Sequence, residues 1–165
     1  MDTYLRSARA DIEGTVGGFS PDAWSRAVEG KWSAAEILEH LTLAFTANRA
    51  AMEKALASGQ LKARPPALKQ QLARMMVVDV GYFPRVSAPE MTVPTGAIRS
   101  DQSLTAIREA LGSLDAVLSR VADRFGEGVR VANHPYFAGL TVRQWRKFHW
   151  RHTRHHMRQI RKRSY

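Results

Sequence analysis

Residues 140–162 read LTVRQWRKFHWRHTRHHMRQIRK, and the fold turns on how this stretch sorts around a helix. With His152 as reference and about 100° per residue, His156 falls ~40° away, one turn further along the same face. His149 and His155 lie about 60° to either side, and Trp145 and Gln159 within about 20° of the reference line. Arg143, Arg146, Lys147, Arg151, Arg154, Arg158 and Arg161 all project roughly 100–180° away. One face is therefore histidine and aromatic, and the other is cationic. That is the pattern of an amphipathic helix with its basic stripe turned to solvent. Its start is marked by Thr141-Val142-Arg143-Gln144, a capping box in which the threonine oxygen takes one orphan amide and the glutamine reaches back to another. Leu140, just before the cap, is placed to pack on Trp145 as a hydrophobic staple.

Three further stretches carry the same periodicity. Ser33-Ala34-Ala35-Glu36 is a second capping box, followed by Ile37, Leu41, Ala44, Asn48 and Ala51 until Ser58-Gly59 stops the run. Leu104, Ile107, Leu111, Leu114, Leu118, Val121 and Phe125 recur every three or four residues, from a start near Ser100-Asp101 to Gly126 and Gly128. Residues 3–16 put Leu5, Ala8, Ile12 and Val16 on one stripe, before Gly17-Gly18 and a connection beginning at Phe19-Ser20-Pro21. Between the second and third of these four helices lie residues 60–99. A short helix fits residues 67–78, whereas Pro84, Pro89, Pro94 and Gly96 keep the rest irregular. A connection this long is often a lid or pocket wall, and it suits a helical bundle with one long crossover. The expectation is an all-α chain.

Composition sets the outer bounds. At 165 residues the chain has the length of one domain, expected to span residues 1–165, with an ordinary 44% hydrophobic and 24% charged content. It has no cysteine, which removes disulfides, thiolate metal ligands and a protein thiol nucleophile. The amino terminus lacks the basic-then-apolar order of a secretory signal, and no apolar run approaches the ~20 residues that span a bilayer. A cytoplasmic protein with no membrane partner is expected. The net charge of +10 attracts anions through its field. No recognisable nucleic-acid motif or aromatic-interleaved basic groove accompanies it, so nucleic acid is the minor alternative, resting on that charge and on Trp150 among the arginines.

Five of the six histidines fall at 134, 149, 152, 155 and 156. An i, i+4 pair such as His152 and His156 is a standard way for one helix to offer a metal two nitrogens. His40 is the candidate third ligand, because it sits within the apolar stripe of the second helix and should face the interior. The plainer reading of a lone histidine there is a hydrogen-bonded core residue. His149 competes to replace or join the ligands, His155 reads as a pocket group, and His134, in an Asn-His-Pro turn, as a brace for the loop.

Trp32-Ser33-Ala34-Ala35-Glu36-Ile37-Leu38-Glu39-His40-Leu41 resembles the W-S-x-x-E-x-x-x-H-L opening of the second helix in the DinB-like (YfiT-like) metalloprotein superfamily. His134-Pro135-Tyr136-Phe137-Ala138-Gly139-Leu140-Thr141, then Trp145 and the segment from His152 to Ile160, is similar to its carboxy-terminal signature. The two motifs bracket more than three quarters of the chain in the family's order. The resemblance implies an up-down-down-up four-helix bundle with a long crossover between helices two and three. It also implies one divalent transition metal, zinc or nickel, on His40, His152 and His156. Relatives of this kind include metal-dependent thiol S-transferases and hydrolases, often dimeric. The implied function is chemistry on a small-molecule substrate by a water or thiolate on the three-histidine metal, with a low-molecular-weight thiol as a second cofactor and a homodimer as the assembly. The alternative is a non-catalytic binding module whose metal is structural or vestigial.

The rest of the sequence narrows the chemistry. A zinc protease would carry a glutamate beside the first histidine of the pair, where this chain has Thr153. There is no G-x-S-x-G elbow, phosphate-binding glycine loop or paired-carboxylate motif, and the E-x-x-H pairs of a di-iron bundle are missing. Activation would therefore fall to the metal. Each ligating imidazole also needs its other nitrogen occupied to fix the tautomer, and Asn48, Glu36 and Gln159 are the nearest candidates along the chain.

Overall fold

The computed structural model describes residues 1–84 and 86–163. Four long helices dominate: α1 (Thr3–Val16), α3 (Ala34–Ser58), α5 (Ser103–Phe125) and α6 (Val142–Arg161). Short α2 (Pro21–Ser25) and α4 (Leu68–Arg74) lie between them, and β1 (Arg130–His134) pairs antiparallel with β2 (Ala138–Thr141) before α6. Among the described residues, no helix is long and apolar enough to cross a membrane.

Both capping boxes form. The Ser33 oxygen accepts from the Glu36 amide at 3.3 Å, and the Glu36 carboxylate accepts from the Ser33 amide at 2.6 Å. Thr141 and Gln144 repeat the exchange at 3.2 and 3.0 Å. At its far end α3 stops on Gly59, whose φ of 64° is the left-handed conformation glycine adopts without a Cβ penalty. The helices pack mainly as two pairs, α1 on α6 and α3 on α5. Leu5, Ile12, Ile37, Leu41, Phe45, Ile107, Leu111, Leu118 and Trp145 are buried between them. Each such side chain contributes about 1.5–3 kcal/mol on leaving water, so the apolar stripes, more than local helix propensity, hold the fold.

The β-hairpin departs from the all-α reading, and α2 is a short helix where a connection was expected. The hairpin carries Asn133, Gly139 and Ala138, which are poor strand formers, and non-local contacts impose it. The Gly139 amide donates to the Arg64 carbonyl at 2.9 Å, and the Arg64 amide donates to the Asn133 side chain at 2.8 Å. A Cβ at residue 139 would sit 2.6 Å from that Arg64 carbonyl, so only glycine lets the two backbones approach. α2 is a one-turn helix, short enough that its apolar spacing gives no signal.

The crossover is more ordered than its prolines suggest. α4 runs into a π-helical turn at Met75–Val80 that packs on α6 with Val77 and Val78 buried. Gly81 ends it at φ 84°, with the Arg151 side chain 3.2 Å from where a Cβ would stand. A 3-10 turn at Glu90–Thr92 then docks on α3. Beyond it, buried Glu39 accepts hydrogen bonds from the Thr95 amide and hydroxyl and from the Gly96 and Ala97 amides, all between 2.9 and 3.2 Å. Burial pushes this carboxyl's pKa up, but the hydrogen bonds outweigh it and hold the pKa below the usual glutamate range.

The basic stripe of α6 is only partly a solvated face. Arg146 is buried, bridging Glu127 at 2.6 Å and the Ser119 hydroxyl at 3.2 Å. Lys147 pairs with Asp79 at 2.8 Å. Trp150 is half-buried, with the Tyr4 ring 5.6 Å away and the Arg151 guanidinium 4.5 Å over its face. Pairing and stacking draw these groups inward, as a helical wheel, which assigns angles but not partners, cannot show.

Candidate metal centre

His40, from the second turn of α3, and His152 and His156, one turn apart on α6, converge. Their ligand atoms all lie within 4.8 Å of one another, and this is the one such group of histidines and carboxylates found among the described residues. The Nε2 of His152 is 3.3 Å from that of His40 and 3.0 Å from that of His156. Three nitrogens bound tetrahedrally to one ion at 2.0–2.1 Å stand about 3.3 Å apart. The spacing fits a shared ion.

The outer nitrogens sharpen the fit. The Nδ1 of His40 lies 2.7 Å from the Thr92 carbonyl, which only accepts, so Nδ1 carries the proton and Nε2 keeps its lone pair. The Nδ1 of His156 lies 3.0 Å from Oε1 of Gln159, with the same consequence. Between these two lone pairs stands His152 Nε2, whose single proton can satisfy only one of them. A cation at the convergence point satisfies all three. His152 Nδ1 is buried without a hydrogen-bond partner, and its ring is held by stacking between Phe83 and Phe148, at 5.7 and 5.4 Å.

Electrostatics keep the rings neutral, as metal ligation requires. Burial lowers the pKa of His40, with the Thr92 bond working weakly the other way. Burial, then neighbouring His40, takes His156 down to about 3. Burial, then His156 and His40, puts His152 well below the ordinary range. Thus no proton has to leave before an ion is bound near neutral pH.

The centre forms one wall of a cavity of about 770 Å³. Phe83, Phe137 and Phe148 line it with Trp32, and the crossover closes it through Pro89 and Met91. A space of this size takes a small organic molecule.

The other histidines part company with the trio. His149 is fully buried and lies outside the converging group, with its Nε2 3.4 Å from the Asn48 amide. His155 lines the cavity, stacks 4.8 Å from Phe83, and accepts from the Gln159 amide at 2.9 Å. His134 takes the Tyr136 amide on Nδ1 at 3.2 Å and stacks 4.2 Å from Phe137, bracing the hairpin connection. Of the expected tautomer-fixing partners, Gln159 fills the role, Glu36 is committed to its cap, and Asn48 serves His149. Thr92 was not legible: its carbonyl is a backbone group on an irregular segment, and nothing in a threonine's spacing announces it.

Buried neutral imidazoles have a cost at low pH. Burial lowers the pKa of His134 to about 4, and burial with a nearby His134 charge lowers that of His149 to about 3, against 6.5 for a free ring. The unfolded chain therefore binds more protons between those values. Stability is complete above roughly pH 6.5 and drains as pH falls, by about 1.4 kcal/mol per pH unit for each ring. Urea unfolding at pH 7.5 and pH 5 is expected to show this loss, and His149→Phe to flatten it by one proton's worth. An unchanged slope in that variant would show that His149 is not buried as a neutral ring.

A family model described as the DinB superfamily matches residues 4–160. No curated protein and no solved structure matches the chain.

Proposed function

This chain belongs to the DinB superfamily, and from that premise we propose that it is a metal-dependent enzyme, a thiol S-transferase or hydrolase acting on a small electrophile in the cavity beside His40, His152 and His156. The observation that carries the reading is the convergence of three Nε2 atoms, two of them with tautomers fixed by Thr92 and Gln159, on the wall of that cavity. We read the four long helices as an up-down-down-up bundle forming one domain, with the crossover as its pocket wall. Zinc or nickel suits three imidazoles at this spacing.

When bound, such an ion supplies Lewis acidity, which favours the deprotonated form of a water or a thiol near neutral pH. The chain's own residues do the rest. Thr92 and Gln159 hold protons on the outer nitrogens, so that the inner lone pairs face one point. Phe83 and Phe148, stacked on His152, fix the plane of its ring. His155, joined to His156 through Gln159, is the group beside the centre that can accept or hand on a proton at the cavity surface. A closed structural site would need a fourth protein ligand, and His149, the residue read as able to join the ligands, is turned to Asn48.

The test is elemental analysis of the purified protein and the absorption spectrum of its cobalt form. About one ion per chain, with a spectrum that shifts on adding a simple thiol, supports the reading. A chain that binds no transition metal, or a cobalt spectrum indifferent to thiols and to other added ligands, overturns it. Gln159→Leu, which strips the His156 tautomer of its partner, is expected to weaken metal binding by about 10–100-fold without unfolding the chain, as read by chelator competition.

A further inference from the structure

The cavity beside the three imidazoles has a marked charge asymmetry. Its described lining contains no aspartate or glutamate, although the chain has 15. Apart from its histidines, the described lining carries two basic side chains, Lys31 and Arg163. Arg163 follows the end of α6 and donates to the Trp32 carbonyl at 2.6 Å, which sets the guanidinium beside the cavity wall. Lys31 precedes Trp32 in the chain and lines the same cavity, so both cations stand by the same backbone segment. Among the described residues neither one pairs with a carboxylate. Aromatic and apolar side chains make up much of the remaining wall, among them Phe83, Phe137 and Phe148, with exposed Met91 at the rim.

We propose that the cavity takes a ligand with an apolar body of about one aromatic ring and an anionic end, a carboxylate or a phosphate ester, the body lying among the phenylalanines and the anion seated between Lys31 and Arg163. A guanidinium keeps its charge at any accessible pH and offers several N–H donors, of which the Trp32 carbonyl takes one. It is also partly desolvated, since burial lowers its pKa, so an arriving anion recovers interactions the site withholds. The absence of wall carboxylates removes the competing partner and the repulsion. This names the ligand class for the reaction site proposed above and rests on that reading, but the binding itself does not require the metal.

The test uses metal-loaded and chelator-stripped full-length protein and three probes: 4-phenylbutyrate, phenyl phosphate and the neutral 4-phenylbutanamide. Binding is read by calorimetry and by Trp fluorescence, to which Trp32 contributes. At least one anion is expected to bind about 10-fold or more tightly than the amide, the scale of a charge-assisted hydrogen bond. Whichever anion wins identifies the carboxylate or the phosphate as the natural end group. Lys31→Gln and Arg163→Gln should each remove much of the preference at unchanged metal content, and Arg163→Lys should retain most of it. Equal binding of anions and amide overturns the proposal. So does a preference that survives both glutamine variants but vanishes on stripping the metal, because the anion would then be held by the ion. A preference that depends on Arg163 in a protein without metal upholds this inference while the proposed function fails.

Discussion

His40→Ala is expected to emerge from purification with less than about a tenth of the metal carried by the parent, its affinity reduced more than about 100-fold. Structural zinc sites release about 10–16 kcal/mol over four ligands, which is roughly 3 kcal/mol for each ligand lost. The effect should exceed that average here, because His40 is the single ligand contributed by α3. Without it, His152 and His156 remain as an i, i+4 pair on one helix, a two-nitrogen site that surface helices also offer. His156→Ala should do comparable damage from the other side. The control is His155→Ala, which removes a cavity imidazole of the same helix outside the converging group and should leave metal content near that of the parent. If His40→Ala retains full metal, or His155→Ala loses as much as His40→Ala, the assignment of ligands is wrong.

The second large effect is expected at Glu39→Ala. This carboxylate is buried and takes four hydrogen bonds from residues 95–97, three of them from backbone amides. Alanine removes the acceptor of the Thr95 and Gly96 amides and leaves the Ala97 amide only the Thr95 hydroxyl at 3.4 Å. Each unsatisfied group costs about 1–3 kcal/mol, less where water reaches it as the loop loosens, so a loss of roughly 2–4 kcal/mol is expected. Glu39→Gln keeps the shape but exchanges two acceptor oxygens for one, and should fall between. The loss should also reach the metal. Glu39 and His40 are adjacent on α3 and grip the same segment at residues 95–97 and 92, so freeing one hold loosens the Thr92 carbonyl on His40 Nδ1. Urea denaturation gives the first effect and chelator competition the second. Normal stability in Glu39→Ala would mean that the crossover is not anchored there.

How much of this was legible before the structure varies with the kind of signal. The long helices were, because periodicity and caps act within a few residues: Ser33 and Thr141 mark starts that the hydrogen bonds reproduce. The histidine trio was legible as a face on each helix and, through the family resemblance, as a set. The hairpin was not, since Gly139 is a strand residue only because Arg64 lies against it. Nor was Arg146, which a wheel sends to solvent and an ion pair with Glu127 draws inside. Glu39 is the clearest case. A glutamate one residue from a candidate ligand on an otherwise apolar turn reads as a surface group, and only the returning backbone of residues 95–97 explains its burial. What a residue meets from far along the chain is not written next to it.

His40 and His152 stand 112 positions apart in the chain, and an ion shared between them acts as a reversible staple across most of the molecule. Because it binds only the folded form, each hundredfold excess of free metal over the dissociation constant adds about 2.7 kcal/mol to folding. On the proposed reading, the abundance of the protein would then be tied to the supply of the ion. In a starved cell the chain would spend more time open to proteases, so scarcity would thin out the idle copies before it slowed the loaded ones.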